Sequence, residues 1–200
     1  MVKAAQLQPT DSGLIMHGVL EAVLSKYPKG EFLTIPEKVL KDFVSEYLKN
    51  YLLEKMGGFN DKSKRFMFLY NRMVDVLMVI FERLKNEFSG VSFTPTDFEL
   101  KIGNDDLPQY TLPLEDGGEI SVYGSVDRVD IMEKGGIKYL RIIDYKSGSK
   151  EFKLSHLLSG LNAQMVIYLM AIIKNGTKLY GKTVPAGVLY LPSRIGIKNY

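Results

Sequence analysis

Two aspartates and one lysine stand on neighbouring apolar segments in the second half of the chain. Asp127 lies in Gly-Ser-Val-Asp-Arg-Val-Asp, and Asp144 and Lys146 lie two residues apart in Ile-Ile-Asp-Tyr-Lys-Ser-Gly. Residues two apart on a strand project from the same face, so the carboxylate and the ammonium would meet at the end of an apolar strand. Placing both there is costly unless they have a use. A divalent metal ion beside a polarised water is one such use, because Mg²⁺ and Mn²⁺ prefer oxygen ligands.

A short turn separates the two predicted strands, so their residues would face one another across an antiparallel pair. Cross-strand neighbours lie about 5 Å apart, which would let Asp127 and Asp144 share one ion. Without a cation, two carboxylates so close would repel each other and raise each other's pKa. The alternative is that both are ordinary turn or surface aspartates. In a regular strand Asp130 points away from Asp127, and we expect it to pair with Arg128 in a structural role.

The elements that must position these residues follow from the apolar periods. The N-terminal half has the period of helices, which predicts helices at about 10–26, 36–56 and 61–88. The pattern then changes to strands and tight turns. Strands are predicted at 97–102, 119–132, 137–146 and 187–191, with a helix at about 154–174 before the last one. A helix between two strands favours a parallel crossover, so the fold class is predicted to be α/β, with a mixed sheet and a helical N-terminal half.

Bulk properties set limits on function. The 200 residues suit a single domain, and a net charge of +3 is compatible with nucleic acid without indicating it. The chain has no cysteine, which excludes a thiolate metal site within it. It has no apolar run of spanning length and no signal-peptide pattern, so we expect a cytoplasmic protein without membrane association. No Walker-type phosphate loop is present, so that route to ATP hydrolysis is not encoded.

Four further residues are candidates, each with a plainer alternative. His17 shares a helical stripe with Glu21, and a core histidine satisfied by Glu21 is the alternative. Glu99 is expected on the polar face of its strand, opposite Phe98, Leu100 and Ile102, where it could simply be a solvent-facing acid. Gln164 and Tyr168 are four apart on the last long helix, where Tyr168 could be core and Gln164 a partner for backbone groups.

In chain order, these motifs resemble those of the PD-(D/E)XK nuclease superfamily. Within it they are most similar to RecB-type nuclease domains, in particular that of the AddB subunit of ATP-dependent helicase–nucleases. The matching motifs are Gly-x-x-x-His-x-x-Leu at 13–20, Phe-Glu at 98–99, Gly-x-x-Asp-Arg-x-Asp at 124–130, Asp-Tyr-Lys at 144–146 and Gln-x-x-x-Tyr at 164–168. Five motifs in order are specific, although each alone is weak.

This resemblance implies a restriction-endonuclease-like core, a mixed central sheet flanked by helices, in a Mg²⁺- or Mn²⁺-dependent deoxyribonuclease acting as an exonuclease. It implies catalytic roles for Lys146, Asp144 and Asp127. The implied metal ligands are His17, Asp127, Asp144 and the Tyr145 carbonyl. Glu99 would hold a second metal or its water, and Gln164 and Tyr168 would contact the DNA.

The resemblance also has departures and wider implications. Ser125 replaces a common arginine, and Asn162-Ala163 replaces part of a leucine-rich flank. AddB-type domains carry cysteines for an iron–sulfur cluster, so a cluster would belong to a longer protein of which residues 1–200 form a single nuclease domain. The implied partners are DNA and a helicase subunit of the AddA type, in double-strand-break repair and recombination. Two alternatives remain, a non-cleaving DNA-binding or scaffolding module of the same fold and an enzyme acting on RNA.

Overall fold

A computed structural model of the chain describes residues 9–56, 64–104, 107–146 and 163–192. These residues divide into two compact units, one up to Val91 and the other from Ser92 to Pro192. Within the described ranges, no helix combines the length and the apolar character needed to cross a membrane.

The first unit is helical, as the apolar period predicts. Its elements are α1 (Pro9–Lys26), α2 (Lys29–Thr34), α3 (Glu37–Met56) and α4 (Lys64–Gly90). The break predicted after Lys26 is confirmed, but the short helix α2 follows it at once and was not foreseen. Phe32 anchors α2, because its fully buried ring makes edge contacts with Phe81 and Phe88 of α4. Asp61, the predicted start of the third helix, lies outside the described residues.

The second unit is built on a mixed sheet. Its strands are β1 (Thr94–Ile102), β2 (Tyr110–Pro113), β3 (Glu119–Val122), β4 (Gly124–Lys134), β5 (Ile137–Lys146) and β6 (Thr183–Pro192). Four of them form a sheet in the order β1-β4-β5-β6, antiparallel except for the parallel pair β5-β6, while β2 and β3 form a separate hairpin. The predicted α/β class and mixed sheet are therefore confirmed.

Among the described residues of this unit, two helices follow β5, namely α5 (Gln164–Asn175) and α6 (Thr177–Tyr180). The buried side of α5, with Leu169 and Ile172, belongs to the same apolar core as Leu140 and Ile142 of β5. This core fixes one face of β5 along the run that leads to Asp144. The predicted first half of this helix, from about residue 154, lies outside the described residues.

A tight hairpin sets the register of β4 against β5. Gly135 and Gly136 have φ angles of +60° and +75°, the backbone of a two-residue type I′ turn that glycine adopts without strain. Lys134 consequently pairs with Ile137, and the same register continues to the pair of Arg128 and Ile143. The hairpin thus determines which residues of the two strands can meet near the strand ends.

Two details of the predicted strands are wrong. The run 119–132 was predicted as one strand, but it divides at Tyr123 into β3 and β4, which belong to different sheets. The alternation predicted along β1 is also interrupted. Asp97 lies beside the buried Tyr180, and Tyr180 shares a core with Leu100. The side-chain facing of β1 therefore changes between these two positions.

Candidate active site

The end of β5 carries the acid–lysine pair. Lys146 Nζ lies 3.0 Å from Oδ1 and 2.8 Å from Oδ2 of Asp144. The lysine side chain is 48% exposed and the aspartate side chain 17% exposed, so the ammonium reaches solvent while the carboxylate is mostly covered. The two side chains share one face of the strand, as their spacing predicts. An exposed cation thus lies beside a carboxylate at the end of the strand.

Asp127 is fastened to the same strand end by a backbone hydrogen bond. The N–H of Tyr145, the residue between Asp144 and Lys146, donates to Asp127 Oδ2 at 2.6 Å. Hydrogen bonds to a carboxylate are shorter and stronger than neutral ones. The structure thus brings the three residues of the Asp and Asp-x-Lys motifs to adjacent strand ends.

Glu99 lies on β1, which pairs with β4 on the side away from β5. Phe98 pairs with Arg128 and Leu100 with Val126, so Glu99 falls opposite Asp127. One carboxylate oxygen of Glu99 and one of Asp127 lie within 4.8 Å of each other. Ser125 Oγ, at the position where an arginine was expected, donates to Glu99 Oε2 at 3.4 Å.

The backbone of Glu99 is strained. Its φ is +47°, and among the described residues it is the sole non-glycine residue with a positive φ. This left-handed conformation costs on the order of 1–3 kcal/mol for a non-glycine residue, and such strain clusters at functional sites. It also explains why the facing changes along β1. The strain favours a functional interpretation of Glu99 over that of a solvent-facing strand acid.

The pair of Glu99 and Asp127 fits a divalent cation. Two carboxylates this close repel each other unless a cation lies between them. Both supply oxygen, the ligand type that Mg²⁺ and Mn²⁺ prefer. The donor chemistry of this pair therefore suits Mg²⁺ or Mn²⁺, and it involves Glu99, the residue expected to hold a second metal or its water.

Gln164 and Tyr168 form a hydrogen-bonded pair at the start of α5. Gln164 Nε2 donates to Tyr168 Oη at 2.9 Å, and Tyr168 Oη donates to the Tyr123 carbonyl at 3.3 Å. Tyr168 is 7% exposed, whereas Gln164 is exposed. A Cβ on Gly124 would lie 2.0 Å from the Tyr168 hydroxyl, so the glycine that begins β4 makes room for this tyrosine. The Gln-x-x-x-Tyr motif therefore contacts the glycine of the Gly-x-x-Asp motif.

His17 belongs to the helical unit. It is half-buried on α1, and the stripe on which it lies runs from Leu14, which is 67% exposed, to the buried Leu24. Its assignment as a metal ligand stays a prediction.

Arg128, Asp130 and Arg141 form a buried ionic cluster next to the candidate site. The sequence predicted only the pair of Arg128 and Asp130. Arg128 and Asp130 are paired, as predicted, and both are fully buried. Arg141, which bonds to the same carboxylate, was not predicted from the sequence, nor was the bond between the side chains of Tyr145 and Arg128. The hairpin register could have revealed Arg141, because a two-residue turn at Gly135-Gly136 places it opposite Asp130.

Comparison with known proteins agrees with this geometry. The chain matches the family described as the PD-(D/E)XK nuclease superfamily over residues 2–199. It therefore belongs to that superfamily.

Individual proteins similar to this chain share one description, that of a helicase/deoxyribonuclease subunit. The chain is similar to the AddB subunit of the ATP-dependent helicase/deoxyribonuclease of Clostridium novyi (strain NT), with 38% identity over 94% of this chain and 17% of the relative. The corresponding protein of Caldanaerobacter subterraneus is 35% identical over 92% of this chain and 16% of the relative. That of Clostridium tetani is 32% identical over 94% and 17%. The chain thus spans 16–17% of the length of these relatives.

Proposed function

We propose that this chain is a Mg²⁺- or Mn²⁺-dependent deoxyribonuclease domain that acts as an exonuclease within a helicase–nuclease. The observation that carries the proposal is the exposed Lys146 ammonium, paired with Asp144 beside an Asp127 carboxylate that the Tyr145 N–H holds in place. Membership of the nuclease superfamily supports the reaction class. The similarity to helicase/deoxyribonuclease subunits supports DNA as the substrate and an AddA-type helicase as the partner, in cytoplasmic double-strand-break repair and recombination.

Each residue of the site has a proposed role. Asp127 and Asp144 hold the metal together with the Tyr145 carbonyl, and Glu99 holds a second metal or its water. When bound, the metal supplies a water of lowered pKa and polarises a phosphoryl oxygen. Lys146 orients the attacking water and stabilises the negative charge that develops on the phosphate. Its compact ammonium differs from a planar guanidinium, so arginine would not replace it simply.

Residues outside the strand ends complete the proposal. His17 is proposed as a further metal ligand because Gly13, His17 and Leu20 match the family motif. Gln164 and Tyr168 guide the DNA strand. The exposed amide of Gln164 is the group available for direct contact, and Tyr168 supports it through their shared hydrogen bond.

Cleavage by the Lys146→Ala variant tests the proposal. End-labelled single- and double-stranded DNA and RNA are incubated with the chain and Mg²⁺ or Mn²⁺, with EDTA as the metal control. We expect metal-dependent cleavage of DNA that Lys146→Ala abolishes, with DNA binding largely kept. Lys134→Ala, which removes an exposed lysine at the far end of β4, is the matched control and should cleave as the unaltered chain does.

The same assay separates the alternatives. Unchanged cleavage by Lys146→Ala would refute the assignment of the site. DNA binding without cleavage by the folded, Mn²⁺-loaded chain would favour a non-cleaving DNA-binding or scaffolding module. Preferential cleavage of RNA would redirect the proposal to another phosphodiester. The comparisons do not favour the non-cleaving module, since the family and the relatives are both nucleases by description.

A further inference from the structure

The ladder between β4 and β5 ends just before the candidate site. Its last pair joins Arg128 to Ile143, so Asp127 and Asp144 lie one residue beyond it. On its other side β5 remains paired with β6 as far as Lys146, which lies opposite Pro192. Asp144 and Lys146 are therefore held by β6. The placement of Asp127 relative to them depends on contacts beyond the β4–β5 ladder.

Tyr145 makes that connection through hydrogen bonds of its backbone and of its side chain. Its N–H donates to Asp127 Oδ2 at 2.6 Å. Its hydroxyl accepts a hydrogen bond from Arg128 Nη1 at 3.0 Å. Arg128 directly follows Asp127, so one tyrosine is linked to two consecutive residues of β4, through its backbone on one side and its ring on the other.

The Arg128 guanidinium is itself immobilised. It is fully buried, and its Nε and Nη2 lie 2.8 Å and 3.1 Å from the two carboxylate oxygens of Asp130. Arg141 of β5 fixes the same carboxylate through Nε at 2.9 Å and Nη2 at 2.7 Å, and its guanidinium packs 4.5 Å from the Phe93 ring centroid. Charge-assisted bonds of this kind are strong and directional. The hydroxyl of Tyr145 is thus bound to a rigid group.

We propose that the Tyr145 hydroxyl and Arg128 form a positioning pair that sets the place of Asp127 relative to Asp144 and Lys146. Neither side chain touches the substrate; they act through the peptide of Tyr145. The inference rests on the proposed function for its catalytic consequence. Its structural consequence, the fixed hydrogen bond between the Tyr145 amide and Asp127, does not depend on catalysis.

Tyr145→Phe tests the pair with the loss of one oxygen atom. The ring still fills its buried place, and the backbone carbonyl and amide are unchanged. The first measurement is hydrogen exchange of individual amides in the metal-free 200-residue chain. We expect exchange at residue 145 to accelerate about 10-fold or more, because the Asp127 bond would open more often, while exchange at the buried Ile142 stays the same.

Catalysis and metal binding supply the second readout. We expect kcat to fall by roughly 10- to 100-fold, since misplacement by about 1 Å can cost that much, with little change in KM for DNA. Affinity for Mn²⁺, measured by titration, should weaken in parallel. Tyr70→Phe is the matched control, because it also removes a hydrogen-bonding hydroxyl, which donates to the Ser45 carbonyl at 2.9 Å, and it should leave kcat and Mn²⁺ affinity unchanged.

Arg128→Lys extends the test to the partner. If the two groups act as a unit, the double variant Tyr145→Phe, Arg128→Lys should lose no more activity than the worse single variant. Additive losses would mean that the groups act separately and would overturn the pairing.

The outcomes separate this inference from the proposed function. Unchanged exchange at residue 145, or faster exchange throughout β5 in step with a lower Tm, would overturn the positioning role even if the chain is a nuclease. Selective acceleration at residue 145 in a chain that does not cleave DNA would support the positioning role and count against the proposed function.

Discussion

The two faces of β5 at its end differ physically although the residues that define them are adjacent. On one face Lys146, 48% exposed, pairs with Asp144. On the other face the ring of Tyr145 lies against Arg128, which is fully buried with Asp130. Both faces carry carboxylate–cation pairs. One pair meets solvent and the other is closed off from it.

This difference in solvent exposure implies different roles for the two faces. A solvent-exposed ion pair contributes about 0–1 kcal/mol to stability, so the open pair does little for folding and its ammonium is accessible to a substrate. Removing one partner of a buried pair costs about 3–5 kcal/mol, because a charge is left buried and uncompensated. We therefore interpret the open face as the chemical side of the strand and the closed face as the side that holds it still.

Asparagine substitutions of Asp130 and of Asp144 have the largest expected effect on stability, and they test whether the two faces differ. Asp130→Asn leaves two buried guanidiniums without their shared anion, and we expect the free energy of unfolding to fall by about 3 kcal/mol or more. Asp144→Asn removes the partner of a half-exposed lysine and should change it by less than about 1 kcal/mol. Urea denaturation at pH 7 in EDTA measures both. Similar losses for the two variants would mean that the faces do not differ in the way proposed.

Alkaline pH probes the closed face through Tyr145. Burial raises the pKa of Tyr145 to about 12, although Arg128 opposes this rise. The folded chain therefore keeps this proton more firmly than the unfolded chain, whose tyrosines titrate near pH 10. The stabilisation is complete below about pH 10 and is lost as the pH rises towards 12. Relative to Tyr145→Phe, the unaltered chain should lose roughly 2 kcal/mol across that window.

Parallel urea titrations of the two proteins between about pH 9 and 12 provide the measurement. Titration of the other tyrosines is common to both proteins and cancels in the difference. Parallel pH curves would show that the Tyr145 hydroxyl is not protected by the closed face.

The sequence predicted the chemical side of the strand better than the closed side. Strand β5 has the predicted ends, because a glycine pair before it and a polar pair at its end mark both boundaries in the sequence. The shared face of Asp144 and Lys146 follows from strand geometry alone. Arg141 gave no such local signal, since its partner is 11 residues away and the pairing depends on the hairpin register.

Two other structural features could not be predicted from local sequence patterns. The apolar run 119–132 reads as one strand, yet Tyr123 separates parts that pair with different partners. Strand pairing is a non-local property, which a single run of residues does not encode. The left-handed backbone of Glu99 was also hidden, because glutamate has no preference for that conformation.

Substitutions of Glu99 have the smallest expected effect on stability, and they test whether the carboxylates near Asp127 bind a metal ion. Glu99→Gly relieves the positive φ and removes a charge near Asp127, so in EDTA we expect the variant to be more stable than the unaltered chain by about 1 kcal/mol. Glu99→Gln keeps the strained backbone and removes the charge alone, so it should gain less. With Mn²⁺ the order of stabilities should reverse, because the stabilisation of the folded chain by binding grows with the logarithm of the affinity and both variants have lost a carboxylate. Thermal unfolding with and without Mn²⁺ measures both effects. If Glu99→Gly is less stable in EDTA, or gains as much from Mn²⁺ as the unaltered chain, then the strain at residue 99 does not serve a metal site.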